Sequence, residues 1–206
     1  MRKNRWVLRC ALLTLTGVAL LNVFSCKRPG SAGESVSVVA AKSSHDEMRG
    51  GNAMSLALTT TAFTNGGAIA KKYTCDGADL SPALNWSGVP AGAQSLALIT
   101  DDPDAPMGTW THWIIWNIPA SATALPEGVP ASDVLDNGAR QGRNDFRRIG
   151  YGGPCPPPGR PHRYFFRLYA LDTRLDLKAG SARSQLEAAM KSHVLSQAEL
   201  MGTYGR

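Results

Sequence analysis

The stretch 95-SLALITDDPDAPMGTWTHWIIWNI-118 decides how this chain is read. Its two ends are short apolar runs bounded by turn residues, which is the pattern of strands rather than helices. HWIIWNI at 112–118 is apolar at successive positions, so it predicts a central strand buried on both faces. Between the runs, three aspartates and two prolines crowd into residues 101–106, and a histidine follows at 112. If the two strands pair as a hairpin, the end of one and the start of the next share a sheet edge. Asp102 and His112 then come within reach of each other. Pro103 fixes its own φ and drives Asp102 out of the α region, and Pro106 does the same to Ala105. The carboxylates are thereby aimed, as a pre-organised site requires. A tight corner requires the same stiffness.

A second block, 150-GYGGPCPPPGRPHRY-164, repeats the arrangement: a stiff loop leads to a histidine that opens a strand. At strand period, His162, Tyr164 and Phe166 share one face, and Arg163, Phe165 and Arg167 share the other. Gly152 and Gly153 leave backbone N–H groups open to close approach by a ligand. SLALTTTAF at 55–63 and RYFFRLYAL at 163–171 have strand character. Helical signals come late. Ser184 with Glu187, and Ser196 with Glu199, have capping-box spacing, and Leu186, Ala189, Met190 and Val194 repeat on one face. The expected fold is mainly β, a sandwich with short C-terminal helices.

The chain's 206 residues suffice for one domain with a real core. Its net charge of +6 suggests an acidic partner, but Arg2, Lys3, Arg5 and Arg9 supply four of those charges and leave +2 elsewhere. No basic cluster with interleaved aromatics follows, so nucleic acid is not an expected partner. Residues 1–25 read as an export signal, a basic segment before an apolar run too short to span a bilayer comfortably. The run ends in 23-VFSC-26, which looks like a lipoprotein cleavage box with Cys26 as the lipidated residue. The expected location is the bacterial cell envelope, lipid-anchored and facing the periplasm; the alternative is a soluble periplasmic or secreted protein. Residues 26–54, rich in Ser, Ala and Gly, read as a tether, and 55–206 as the domain. Cys75 and Cys155 then remain, either as a disulfide closing a loop of about 80 residues, worth about 4 kcal/mol in the chain-entropy picture, or as two buried thiols.

DPDAP at 102–106, WTHW at 110–113, NIP at 117–119, GPCPP at 153–157 and HRYFFRLYALD at 162–172 resemble the two signature blocks of the phosphatidylethanolamine-binding protein family. YTCDG at 73–77, SPALNW at 81–86 and the final LMGTYGR are similar to its bacterial Raf kinase inhibitor-like branch. The resemblance covers about 55–206. It implies a two-sheet antiparallel β-sandwich with a small cavity for phosphate-like anions or phosphorylated head groups. Carried over position by position, Asp102, Pro106, Trp110, His112, Gly153, Pro154, His162 and Tyr164 would line it. It also implies a binding or regulatory protein, acting on a target such as a kinase or protease, rather than an enzyme.

An oxyanion needs donors, and charged histidines supply strong ones, each bond worth about 1.5–3 kcal/mol. Asp102 is expected to favour the charged form of His112, with the Gly153 N–H and the Tyr164 hydroxyl as further donors and Trp110 as a wall. Such a site would bind a small anion with a Kd on the order of millimolar to micromolar. The rival reading is an envelope hydrolase, using Asp102 and Asp104 as paired carboxylates, Asp102 with His112 as a base, or Cys155 with His162 as a nucleophile pair. No metal or cofactor is expected, because His112, His162, Cys75 and Cys155 lack the usual short ligand spacings. The arginines at 140, 143, 147 and 148 form a basic loop, either a solvated face or a guide for anions. His193 reads as structural.

Overall fold

The computed structural model describes residues 55–206. The expected export signal, the lipidated Cys26 and the tether lie outside the described residues. Strands β1 (Ala57–Thr59), β2 (Leu84–Ser87) and β5 (Ala124–Leu125) form a small antiparallel sheet in the order β1-β2-β5. Strands β3 (Ser95–Asp102), β4 (Trp110–Pro119), β6 (Arg140–Gln141), β7 (His162–Leu171) and β8 (Val194–Tyr204) form a five-stranded antiparallel sheet in the order β6-β4-β3-β7-β8. The expected hairpin is there, with Asp102 opposite Trp110 and Ser95 opposite Pro119.

β3 and β4 are buried on both faces because both of their faces are apolar. Leu96 and Leu98 of β3, with Trp113 and Ile115 of β4, pack between the sheets against Leu58, Leu84 and Trp86. Ala97, Ile99, Ile114 and Trp116 face the other way and are covered by helix α1 (Arg183–Met190), through Leu186 and Met190. The large sheet is thus the shared wall of two cores. Trp113 anchors the inner one. It is fully buried, its indole N–H donates to Gln141 Oε1 at 2.7 Å, and its ring meets Tyr151 edge-on. On the outer face, buried Asp101 accepts from Arg167 of β7 at 2.5 Å and from Arg183 of α1 at 2.6 Å.

Two expectations near the C-terminus are corrected. α1 begins one residue before Ser184, with Ala182 at the cap and Gln185 Oε1 accepting the Ala182 N–H. The second capping-box spacing, Ser196 and Glu199, lies in β8, so there is one late helix and not two. Pairing with β7 overrides the local signal: Ala198 and Leu200 face the inner core while Glu199 turns outward to Arg167. The strand expected over 55–63 is shorter, spanning only Ala57–Thr59. His193 pairs with Asp172 at 2.7 Å beyond the helix.

Candidate ligand-binding site

At one end of the large sheet β3 finishes, β4 and β7 begin, and a cavity of about 200 Å³ opens between their loops. Asp102, His112 and His162 supply its polar groups. Its walls are apolar: Ala105, Pro106, Met107 and Trp110 from the β3–β4 connection and the start of β4, and Phe146, Cys155, Pro156 and Pro157 from later loops.

The position of His112 follows from a break in strand pairing. Thr100 pairs with Trp113 and Asp101 with Thr111, so His112 is an extra residue on β4, a β-bulge. Without it, His112 would share the outer face with Ile114 and Trp116. The bulge re-aims it inward beside Trp110, which is what brings it to the cavity.

The hydrogen bonds redistribute the expected partners. The carboxylate of Asp102 is bonded to His162, not His112: His162 Nδ1 donates to Asp102 Oδ2 at 2.8 Å, and Asp102 Oδ1 accepts the Asp104 N–H at 2.8 Å. His112 Nδ1 donates instead to the Gly152 carbonyl at 2.6 Å. A carbonyl only accepts, so the proton sits on Nδ1 and Nε2 is the free nitrogen of the neutral ring. All three side chains are nearly inaccessible to solvent. Burial dominates the titration of His112 and pushes its pKa below the ordinary 6.5; the attraction of Asp102 works the other way and is smaller. The expected help from Asp102 is therefore outweighed.

Other expected donors are already engaged. The Gly153 N–H donates to Asp79 Oδ1 at 2.7 Å, and the Gly152 N–H to the His112 carbonyl at 3.0 Å. Gly153 and Pro154 are buried behind the wall and do not line the cavity. A Cβ on Gly153 would collide with the Tyr73 carbonyl and with Asp79, so glycine serves close packing of two loops rather than ligand approach. Tyr164 also stands behind the lining, edge-on to His112 at 5.2 Å between ring centroids. Its buried hydroxyl lies beside Asp102 without closing a hydrogen bond, and burial holds its pKa far above the usual tyrosine range. Of the eight expected residues, the structure gathers Asp102, Pro106, Trp110, His112 and His162 around the cavity.

Asp104 is clamped by Arg163 through two side-chain bonds of 2.8 and 2.9 Å, which hold its carboxyl well below the usual range, so it is not a partner for Asp102. Cys155 is bonded to Cys75, so it carries no thiol for a Cys155–His162 pair. Among the described residues, none that lines the cavity carries a hydroxyl, an amine or a free thiol.

Phe146 was not visible as a site residue, because its neighbours read only as a basic loop. It packs edge-on against both His112 and Trp110, at 5.3 and 5.5 Å. Asn144 and Asp145 tie this loop to β4: Asp145 Oδ2 accepts the Thr111 N–H at 2.6 Å, and Asn144 Nδ2 donates to the His112 and Gly150 carbonyls. Arg148 turns away to Asp79, and Arg140 donates to the Leu177 carbonyl.

Comparison with known proteins agrees with this architecture. The sequence model of a family described as phosphatidylethanolamine-binding protein matches residues 59–205. A UPF0098 protein of Methanothermobacter thermautotrophicus is 56% identical over 149 residues, 72% of this chain and 98% of that one. A UPF0098 protein of Pyrococcus horikoshii is 52% identical over 150 residues, 71% of this chain and 75% of that one. The crystal structure of a phosphatidylethanolamine-binding protein homolog from Chlamydia trachomatis superposes with a TM-score of 0.68 at 43% identity, covering 74% of this chain and 98% of that one. That of E. coli YbcL, described as a new member of the mammalian family, gives 0.70 at 36% identity, covering 74% and 99%. A match across the whole described domain, in sequence and in fold, places this chain in the phosphatidylethanolamine-binding protein family.

Proposed function

We propose that the domain is a non-enzymatic binding module whose cavity takes a small phosphate-like anion or a phosphorylated head group. One observation carries the reading. Two buried histidines each have Nδ1 engaged by a fixed acceptor, and each leaves Nε2 without a protein partner among the described residues at the same cavity. When protonated, each Nε2 is a charged donor. The apolar walls lower the local dielectric and strengthen any bond formed there. The volume lies below the ~300–1,000 Å³ of pockets for drug-sized ligands, which suits a head group rather than a whole nucleotide.

The reading predicts a pH dependence. The His112 ring is buried neutral, so the stability it contributes is complete above its ordinary pKa of 6.5 and is lost as pH falls through its lowered folded value. An anion at Nε2 favours the protonated ring and opposes that loss. Sulfate keeps its charge between about pH 5 and pH 8, the range in which histidine titrates, and serves as the probe. Its affinity, measured by calorimetry, is expected to rise as pH falls through this window, with sulfate protecting the protein against acid unfolding. Affinity that stays flat across the window counts against the site.

We further propose that ligand occupancy regulates a target protein, such as a kinase or protease, docked at the rim, and that Cys26 anchors the domain to the envelope membrane. The Cys75–Cys155 bridge supports export, since disulfides persist in oxidising compartments. Palmitate labelling of the full chain is expected to disappear in Cys26→Ala; labelling that persists rules out the anchor at this residue.

A further inference from the structure

We propose that the Cys75–Cys155 disulfide is a dithiol-reducible latch on the cavity wall, so that the redox state of this bond sets the affinity of the site. The proposal rests on the ligand-binding reading above and adds a means of controlling it.

Position is the first ground. Cys155, Pro156 and Pro157 line the cavity, while Cys75 sits in the loop after a single 3-10 turn at Lys71–Tyr73, outside both sheets. The bond therefore ties this part of the cavity wall to a separate loop. Prolines 154, 156, 157 and 158 have no N–H, so this wall has few backbone donors with which to anchor itself. Three hydrogen bonds help hold it. The Cys75 N–H donates to the Pro154 carbonyl at 3.1 Å, Arg206 Nε to the Pro156 carbonyl at 2.9 Å, and the Gly159 N–H to the Arg206 carbonyl at 3.2 Å. The covalent bond is the strongest restraint of this clasp.

Chemistry is the second ground. Cys75 is exposed and Cys155 partly so, which makes the bond reachable by an attacking thiolate. Exposed disulfides are the labile ones. Arg206 Nη2 stands 4.0 Å from Cys155 Sγ, where its charge favours a departing Cys155 thiolate. In the step inferred, one thiolate of a dithiol reductant attacks Cys75 Sγ. The Cys75–Cys155 bond breaks, a mixed disulfide forms at Cys75, and Cys155 leaves as the thiolate. The reductant's second thiol then attacks its own sulfur in the mixed disulfide and releases Cys75. The reductant ends as a disulfide; two electrons and two protons have passed to the cysteines.

The test uses the full chain with inorganic phosphate as the probe, titrated before and after treatment with dithiothreitol. Peptide-level alkylation verifies the state of Cys75 and Cys155, and near-ultraviolet circular dichroism verifies that the fold persists. Reduction is expected to weaken phosphate binding by about fivefold or more as the wall loses its pre-organisation. Reoxidation restores it, and the Cys75→Ser/Cys155→Ser double variant matches the reduced protein and ignores the reductant. Equal affinity in the oxidised, reduced and double-serine proteins overturns the latch and leaves the ligand reading intact. So does a bond that resists the dithiol while the protein is folded. Absence of phosphate binding by the oxidised protein instead overturns the ligand reading. The latch is then judged by hydrogen exchange at the Cys75 and Gly159 amides: faster exchange on reduction supports it, and unchanged exchange overturns it.

Discussion

Replacing Trp113 by alanine is expected to cost about 4–8 kcal/mol of stability, the sum of the loss for deleting a buried tryptophan and that for leaving a buried acceptor unpaired. The first part comes from emptying the centre of the inner core, where the indole is fully enclosed. The second comes from Gln141, whose Oε1 would lose the indole N–H while its Nε2 stays committed to the Pro130 and Ser132 carbonyls. For a domain of this size the midpoint of thermal unfolding should fall by about 10–30 °C. Trp113→Phe keeps most of the packing and loses only the donor, so it should fall markedly less. Equal losses in the two variants would show that the hydrogen bond, and not the packed volume, holds this part of the sheet together.

At the cavity, His162→Ala should weaken binding of inorganic phosphate about tenfold to a hundredfold, the equivalent of one charge-assisted hydrogen bond. Two effects add. A donor is lost, and the carboxylate of Asp102 is left facing the anion with no imidazole between them. Asp102→Asn tests the second effect separately, because the amide oxygen can still accept from Nδ1 while the charge is gone. It should bind phosphate better than His162→Ala does. Titration by calorimetry decides, with thermal unfolding as the control for fold. A His162→Ala affinity within about twofold of the parent, less than the weakest such bond, would remove His162 from the site.

Much of this was legible in the sequence. The apolar run at 112–118 predicted a strand buried on both faces and that at 95–100 a second strand, and the short connection allowed the hairpin that the structure shows. Two histidines opening strands behind stiff loops pointed to a site, the family resemblance supplied eight residues to line it, and five of these meet at one end of the sheet. What stayed hidden depends on pairing. No glycine or other local signal marks the bulge at His112, so which histidine Asp102 would hold could not be read from spacing. Phe146 lies among arginines, and its role comes from the fold of a loop tied to β4 by Asn144 and Asp145. β8 imitates a helix start at Ser196 and becomes a strand because β7 offers it a full ladder of partners. In each case a long-range contact overruled a correct local tendency.

The consecutive aspartates at the end of β3 have a consequence for how the sheet finds its alignment. A strand that is apolar on both faces can slide by one residue against its neighbours without putting any apolar side chain into water, so hydrophobic pattern alone does not choose the correct pairing. In β3 the choice falls to the polar ends: Ser95, whose hydroxyl donates to the Thr173 carbonyl, and the two carboxylates, one turned to each side. Sliding one way puts Thr100 where Arg167 and Arg183 need an acid; sliding the other way puts Pro103 where His162 needs one. The acid of the cavity is thus also an address label for the strand. A lineage that gave up ligand binding would still be under pressure to keep Asp102, because losing it would remove a mark by which the central strand is aligned.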